Sequence, residues 1–256
     1  MISSIIMQIV VVWSYMTMFF IIALYLQKND VADIAWGGGF VVVAITTLML
    51  QSTVTPRALL ALSLVFVWGL RLALYIGSRN LGRPEDKRYQ QWRQEWGAHA
   101  TVRSFFQIFL LQGLLIVIIS IPVTYSIMSA YSPLNFVDCF GSVLWLAGFL
   151  FETVGDSQLA EFKKDAANKG RIITNGLWRY TRHPNYFGEV LLWWGIYVIA
   201  LSTPMGWVTI IGPLTITFLI LQVSGIPLLE KKYEGNEEFM TYKQRTSAFF
   251  PLPPRQ

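Results

Sequence analysis

Seven stretches of this chain are apolar almost without interruption, near residues 4–26, 31–50, 57–78, 104–128, 137–155, 184–202 and 205–226. They approach or exceed the ~20 residues that an α-helix needs to cross a bilayer. The chain therefore reads as an all-α polytopic membrane protein with about seven transmembrane helices, organised as one membrane domain over 1–256. Composition agrees, since 14% of residues are charged where a soluble domain carries about 25%. The first run has no basic residue ahead of it and no small-residue cleavage site, so it reads as a span rather than a signal peptide. A single cysteine, Cys139, excludes an internal disulfide, and with two histidines it leaves too few ligands for a protein-built metal site.

The placement of the net charge of +5 sets the expected orientation. Lysines and arginines fill the first, third and fifth connections and the tail, whereas the alternate connections hold only Arg57. The positive-inside rule then puts the N-terminus outside and the C-terminus in the cytoplasm, across the inner (plasma) membrane if the chain is bacterial. Basic charge divided among membrane-proximal loops follows topology, which argues against nucleic acid as a partner. It suits lipid headgroups or a phosphorylated cofactor. The two long basic connections mix charge with aromatics, and parts of them should be short interfacial helices.

An ionisable group inside a bilayer is costly and points to function. Asp33 lies just inside the second run, Arg71 about two turns before the end of the third, and Glu189 about one turn into the sixth. Glu152 and Asp156 close the fifth, four residues apart and so on one helix face. With the expected topology all five converge on the cytoplasmic half. Asn185, Glu189, Trp193 and Tyr197 recur every four residues, and Trp68, Arg71 and Tyr75 follow the same helical spacing. In "DIAWGGGF", Gly37, Gly38 and Gly39 permit close approach of a neighbouring helix or of a ligand.

The stretch "RYTRHPNYFGE" asks what a histidine beside two arginines does at the mouth of an apolar run. Pro184 is suited to the first position of a helix. The N–H groups of that helix start, with Arg179, Arg182 and the earlier Arg171, form a reasonable seat for a phosphate or diphosphate. Asn185 and Tyr186 add neutral hydrogen-bonding groups. His183 has three roles open to it: capping the helix, contacting a phosphate, or moving a proton.

"GLWRYTRHPNYFGEVLLWWG" and the tail "EFMTYKQRTSAFFPLPP" resemble the C-terminal region of membrane steroid 5-alpha-reductases and of their bacterial relatives of unassigned function. The same stretch is similar to sterol reductases and isoprenylcysteine carboxyl methyltransferases. Residues 104–256 form the reductase C-terminal-like region, and the likeness to the bacterial relatives runs from "DIAWGGGF" to the tail. The resemblance implies cofactor roles for Arg71, Tyr75, Asn80 and Arg83 in "RLALYIGSRNLGRP", for Asp156, Lys163 and Arg171, and for Asn185, Glu189 and Trp193. Steroid reductases polarise an enone carbonyl with a Glu and a Tyr. Asp33 falls near the first of these positions and Trp68 at the second. An indole offers an N–H donor and no transferable proton, which leaves Tyr75 as a candidate donor.

The resemblance implies an NADPH-dependent reductase of a conjugated C=C bond in a lipid-soluble, enone- or steroid-like substrate, with Asp33, Tyr75 and Glu189 at the reacting centre. The alternative is a membrane methyltransferase using S-adenosylmethionine. That cofactor has no phosphate to occupy the basic residues. A non-enzymatic lipid-binding or transport protein is the third reading, although the seven runs show no pair of inverted repeats.

Overall fold

The computed structural model describes residues 2–80, 82–129 and 133–255, and the connection expected at 129–136 lies partly outside them. Among the described residues every regular element is helical. Among the described residues six helices are long and apolar enough to cross a membrane, as expected of an integral membrane protein. The chain forms two compact units, Met1–Asn135 with Ala200–Gly212, and Phe136–Ile199 with Pro213–Gln256.

The first unit is built on α1 (Ile2–Leu26), α2 (Val31–Met49) and α3 (Pro56–Asn80). The amphipathic α4 (Lys87–Trp96) follows, then the short α5 (Ala100–Ser104), a π-helical turn, α6 (Leu111–Ile119) and α7 (Ile121–Met128). The fourth expected span, 104–128, differs in its bounds: the continuous helical stretch is Lys87–Ile119. It stops where it does because Pro122 sits in the first turn of α7, where a missing N–H is tolerated, and the chain restarts there.

Helix α2 is the hub of this unit, touching α1, α3, α6 and α7. Its three glycines each receive a different neighbour. A Cβ on Gly37 would lie 2.6 Å from the Gly69 carbonyl oxygen of α3, one on Gly38 would strike the Tyr15 hydroxyl of α1, and one on Gly39 would lie 2.6 Å from Ile116 Cδ1 of α6. Successive helical residues point ~100° apart, so "GGG" admits helices on three sides. Helix–helix contact is what these glycines do. Beneath them Phe40 meets Trp68 edge-on at 5.3 Å, both fully buried. Deeper still, buried Gln8 donates to Thr47 Oγ1 at 2.7 Å and Thr124 Oγ1 at 3.1 Å. An amide among apolar helices is tolerable because it is bonded in this way.

The second unit holds α8 (Phe136–Lys164), α9 (Pro184–Ala200), most of α10 (Ile211–Phe218), α11 (Ile226–Lys231) and α12 (Glu237–Arg245). Helix α9 starts at Pro184 as expected, but its 17 residues reach ~25 Å, short of the ~30 Å hydrocarbon core. Helices α8 and α9 run antiparallel in backbone contact. Gly141, Gly148 and Gly155 on α8 recur every seven residues, as do Gly188 and Gly195 on α9. A Cβ on Gly148 would lie 2.5 Å from the Leu192 nitrogen and 2.6 Å from the Gly188 oxygen, and one on Gly141 would lie 2.6 Å from the Gly195 oxygen. The seven-residue spacing keeps one glycine seam facing the partner helix.

Candidate functional site

The α8–α9 seam places the polar residues of the second unit. Glu152 and Asp156 are buried on the side of α8 that carries Gly148 and Gly155. At the first turn of α9, Asn185 donates through Nδ2 to Asp156 Oδ1 at 3.1 Å. Gly155 makes this possible, because a Cβ there would lie 3.1 Å from the Asn185 nitrogen. The Asn185 Oδ1 is buried and has no hydrogen-bond partner among the described residues. One turn on is Glu189, half-buried, and one further turn brings Trp193, fully buried. Tyr186, half-buried, stacks on His183 with ring centroids 5.6 Å apart.

The loop before α9 has a different task. Its 3₁₀ turn, Gly176–Arg179, begins with Gly176 at φ 60°. Leu177 N donates to Gln158 Oε1 at 2.9 Å and Trp178 Nε1 to the Gly155 carbonyl at 3.1 Å, which seats the loop on α8. The Tyr242 hydroxyl of α12 donates to the Trp178 carbonyl, and burial pushes that phenol well above its ordinary pKa. The tail then lies along the loop. Arg182 N donates to Ser247 O at 2.9 Å, Thr181 Oγ1 to Phe249 O at 2.9 Å, and Leu252 N to Tyr180 O at 3.0 Å.

Arg182 and His183 are buried in this clasp. Arg182 donates through Nε to Glu230 Oε1 at 2.8 Å and through Nη1 to the carbonyls of Lys243, at 3.2 Å, and of Thr246. His183 Nε2 lies 3.2 Å from Glu230 Oε1, and Lys243 Nζ lies 2.9 Å from Glu230 Oε2. Burial holds the His183 imidazole below its ordinary pKa, against the opposing pull of the Glu230 carboxylate. Arg179, Lys163 and Arg171 are exposed, and Arg171 lies 3.7 Å from Glu238 of α12.

In the first unit, Asp33 Oδ1 accepts from the Tyr89 hydroxyl at 2.5 Å, and Arg88 Nη2 lies 3.4 Å from Oδ2. Tyr89 is buried, and Asp33 keeps 21% of its side chain exposed. Sequence reasoning missed Tyr89. It lies 56 residues from Asp33, and the apolar periodicity of α4 marks it as a core-facing residue and nothing more. The Arg71 guanidinium sits 5.2 Å from the centre of the Tyr75 ring, one turn on. Asn80 accepts from Arg79 Nε at 3.2 Å, and Lys28 Nζ donates to the Arg83 carbonyl. The connection that follows is pinned by Glu85, which accepts from Asn29 N at 2.6 Å and Arg93 Nη2 at 2.8 Å.

A family described as protein of unknown function, DUF1295, matches residues 19–246. The 3-oxo-5-alpha-steroid 4-dehydrogenase 1 of Bos taurus is 39% identical over 67 residues, 26% of this chain and 26% of that protein. The match thus spans about a quarter of the relative's length. No solved structure matches. With its helical membrane architecture and a family match over most of its length, the chain belongs to DUF1295, a steroid 5-alpha-reductase-like family.

Proposed function

We propose that this protein is a membrane reductase that uses NADPH to saturate a conjugated C=C bond in a lipid-soluble, enone- or steroid-like substrate. The named relative supports reductase chemistry through the likeness over its matched segment. The Asn185–Asp156 pair is the observation that carries the reading. A buried amide oxygen without a donor costs about 1–3 kcal/mol. The Asn185 Oδ1 is such an atom, and it fits a carboxamide N–H or ribose hydroxyl brought by a dinucleotide. Asp156 orients the amide, and Glu189 and Trp193 extend the same face of α9. Lys163 and Arg171 are exposed cations, Arg171 lying 3.7 Å from Glu238, and both are assigned to cofactor phosphates.

A dinucleotide bound there would supply a hydride. The protein must supply a proton and stabilise charge on the carbonyl oxygen. Trp68 is fully buried against Phe40 and has no proton to give. Within the first unit, Asp33 and Tyr89 are the groups assigned to proton transfer: the phenol holds the proton, and the carboxylate with Arg88 fixes its position. Tyr75 is a further phenol of this unit, beside Arg71. In the proposed orientation the N-terminus is outside and the tail is cytoplasmic, as the basic connections require. The bilayer delivers the substrate.

Thermal unfolding of the detergent-purified chain with NADPH, NADH or S-adenosylmethionine tests this reading. A ligand of the folded state adds about 2.7 kcal/mol at a hundredfold excess over Kd. A shift with NADPH that disappears in Asn185→Ala is expected. A shift with S-adenosylmethionine alone would replace the reductase by a methyltransferase. No shift with any of the three would favour a non-enzymatic lipid-binding protein.

A further inference from the structure

Several cations of the second unit meet a carboxylate of the same unit. Arg182 and Lys243 meet Glu230, Lys164 meets Glu161, and Arg171 meets Glu238. Arg179 and Arg245 are among those that do not. They line one cavity of about 430 Å³ with Thr174, Thr241, Thr246 and Glu238. That volume lies within the range of small-ligand sites. Neither guanidinium has a carboxylate partner among the described residues, and Glu238 already faces Arg171. Two like charges on one cavity repel. A phosphate placed between them reverses that cost, because guanidinium forks match phosphate oxygens in geometry. The wall is firm: Thr246 is buried, and Arg182 holds its carbonyl.

The rim indicates where the phosphate comes from. The tail runs from the cavity along the loop, tied by the Leu252 N to Tyr180 O bond. Tyr180, Phe250 and Leu252 are 43%, 64% and 53% exposed. The Phe250 ring also lies 6.3 Å from that of Phe187, in the first turn of α9. Exposed apolar groups beside paired cations, level with the start of an apolar helix, are the arrangement of an interfacial surface. We propose that the Arg179–Arg245 cavity seats the phosphate of an anionic phospholipid headgroup, with Phe250 and Leu252 in the acyl boundary. This site is separate from the Asn185–Asp156 pair and does not depend on the reductase reading.

The test is native mass spectrometry of the delipidated full chain titrated with dioleoylphosphatidylglycerol or dioleoylphosphatidylcholine. Wild type should hold the glycerol lipid about tenfold more tightly, the equivalent of one charge-assisted hydrogen bond. Arg179→Gln with Arg245→Gln should remove that preference, and Lys169→Gln should keep it. Glu238→Gln should increase it, a gain that misfolding cannot produce. Equal binding of both lipids by wild type, or an unchanged preference in the double variant, overturns the proposal. Displacement of the glycerol lipid by NADPH, with loss of NADPH binding in the double variant, would assign the cavity to the dinucleotide and also overturn it.

Discussion

Arg182 and Glu230, 48 residues apart in sequence, meet with Nε and Nη2 at 2.8 and 2.7 Å from one carboxylate oxygen. Their side chains are 7% and 11% exposed, so the pair lies where screening is weak. The contact fastens α11, α12 and the tail to the loop that leads into α9. Lys243 and His183 stay beside Glu230 when Arg182 is removed, so the carboxylate is not stranded and the cost is that of a lost charged hydrogen bond, about 1.5–3 kcal/mol. Arg182→Ala should lower unfolding stability by that order and speed tryptic cleavage at Lys243 and Arg245, as read by limited proteolysis.

His183 faces Glu230, Arg182 and the ring of Tyr186. Its folded pKa lies below the unfolded value of 6.5, chiefly through desolvation. Below about pH 6.5 the unfolded chain binds a proton that the folded chain resists, so stability falls as pH falls. Above that pH both states are neutral and the contribution vanishes. Melting temperatures between about pH 5 and 8 should show this acid-side loss in wild type and a flatter profile in His183→Gln.

Glycine substitutions should separate by what a Cβ would meet. At Gly148 it would meet the α9 backbone, whereas at Gly77 nothing lies within 4 Å. Overpacking costs about 1–3 kcal/mol, and alanine is about 0.5–1 kcal/mol better than glycine within a helix. Gly148→Ala should therefore destabilise and Gly77→Ala should not, as measured by thermal unfolding in one detergent.

Tyr89→Phe removes the hydroxyl that donates to Asp33 at 2.5 Å and leaves the ring. A positioned proton donor contributes about 10²–10⁴-fold. Turnover of an enone lipid should fall within that range, while the NADPH-induced rise in melting temperature persists. Loss of both would give Tyr89 a purely structural role. Tyr75→Phe tests the other phenol by the same pair of readouts.

The helices were legible because an unbroken apolar run satisfies its own backbone in any surroundings where helix is the stable form. Pro184 marked the start of α9 for a similarly local reason, a proline that needs no N–H donor there. The end of α9 was not legible. Leu201 is as apolar as the residues before it, but Thr203 Oγ1 bonds the Ala200 carbonyl at 2.7 Å and closes the helix. The seven-residue glycine spacing on α8 and α9 was visible in the sequence. Its meaning required knowing that the two helices face each other.

For the candidate site, sequence alone determined which residues are costly in a membrane: Asp33, Arg71, Glu152, Asp156 and Glu189. The price of burying a charge is a property of the side chain and its hydrophobic neighbours along the chain. Tertiary structure decided which groups meet. Arg182 and His183 read as an anion seat beside a helix start, yet Glu230, Lys243 and Thr246 come to them from distant sequence and turn them into the clasp of the tail. Tyr89 came to Asp33 in the same way. Such pairings follow from how helices dock, and docking is settled by glycine seams and side-chain shape across segments that no local pattern connects.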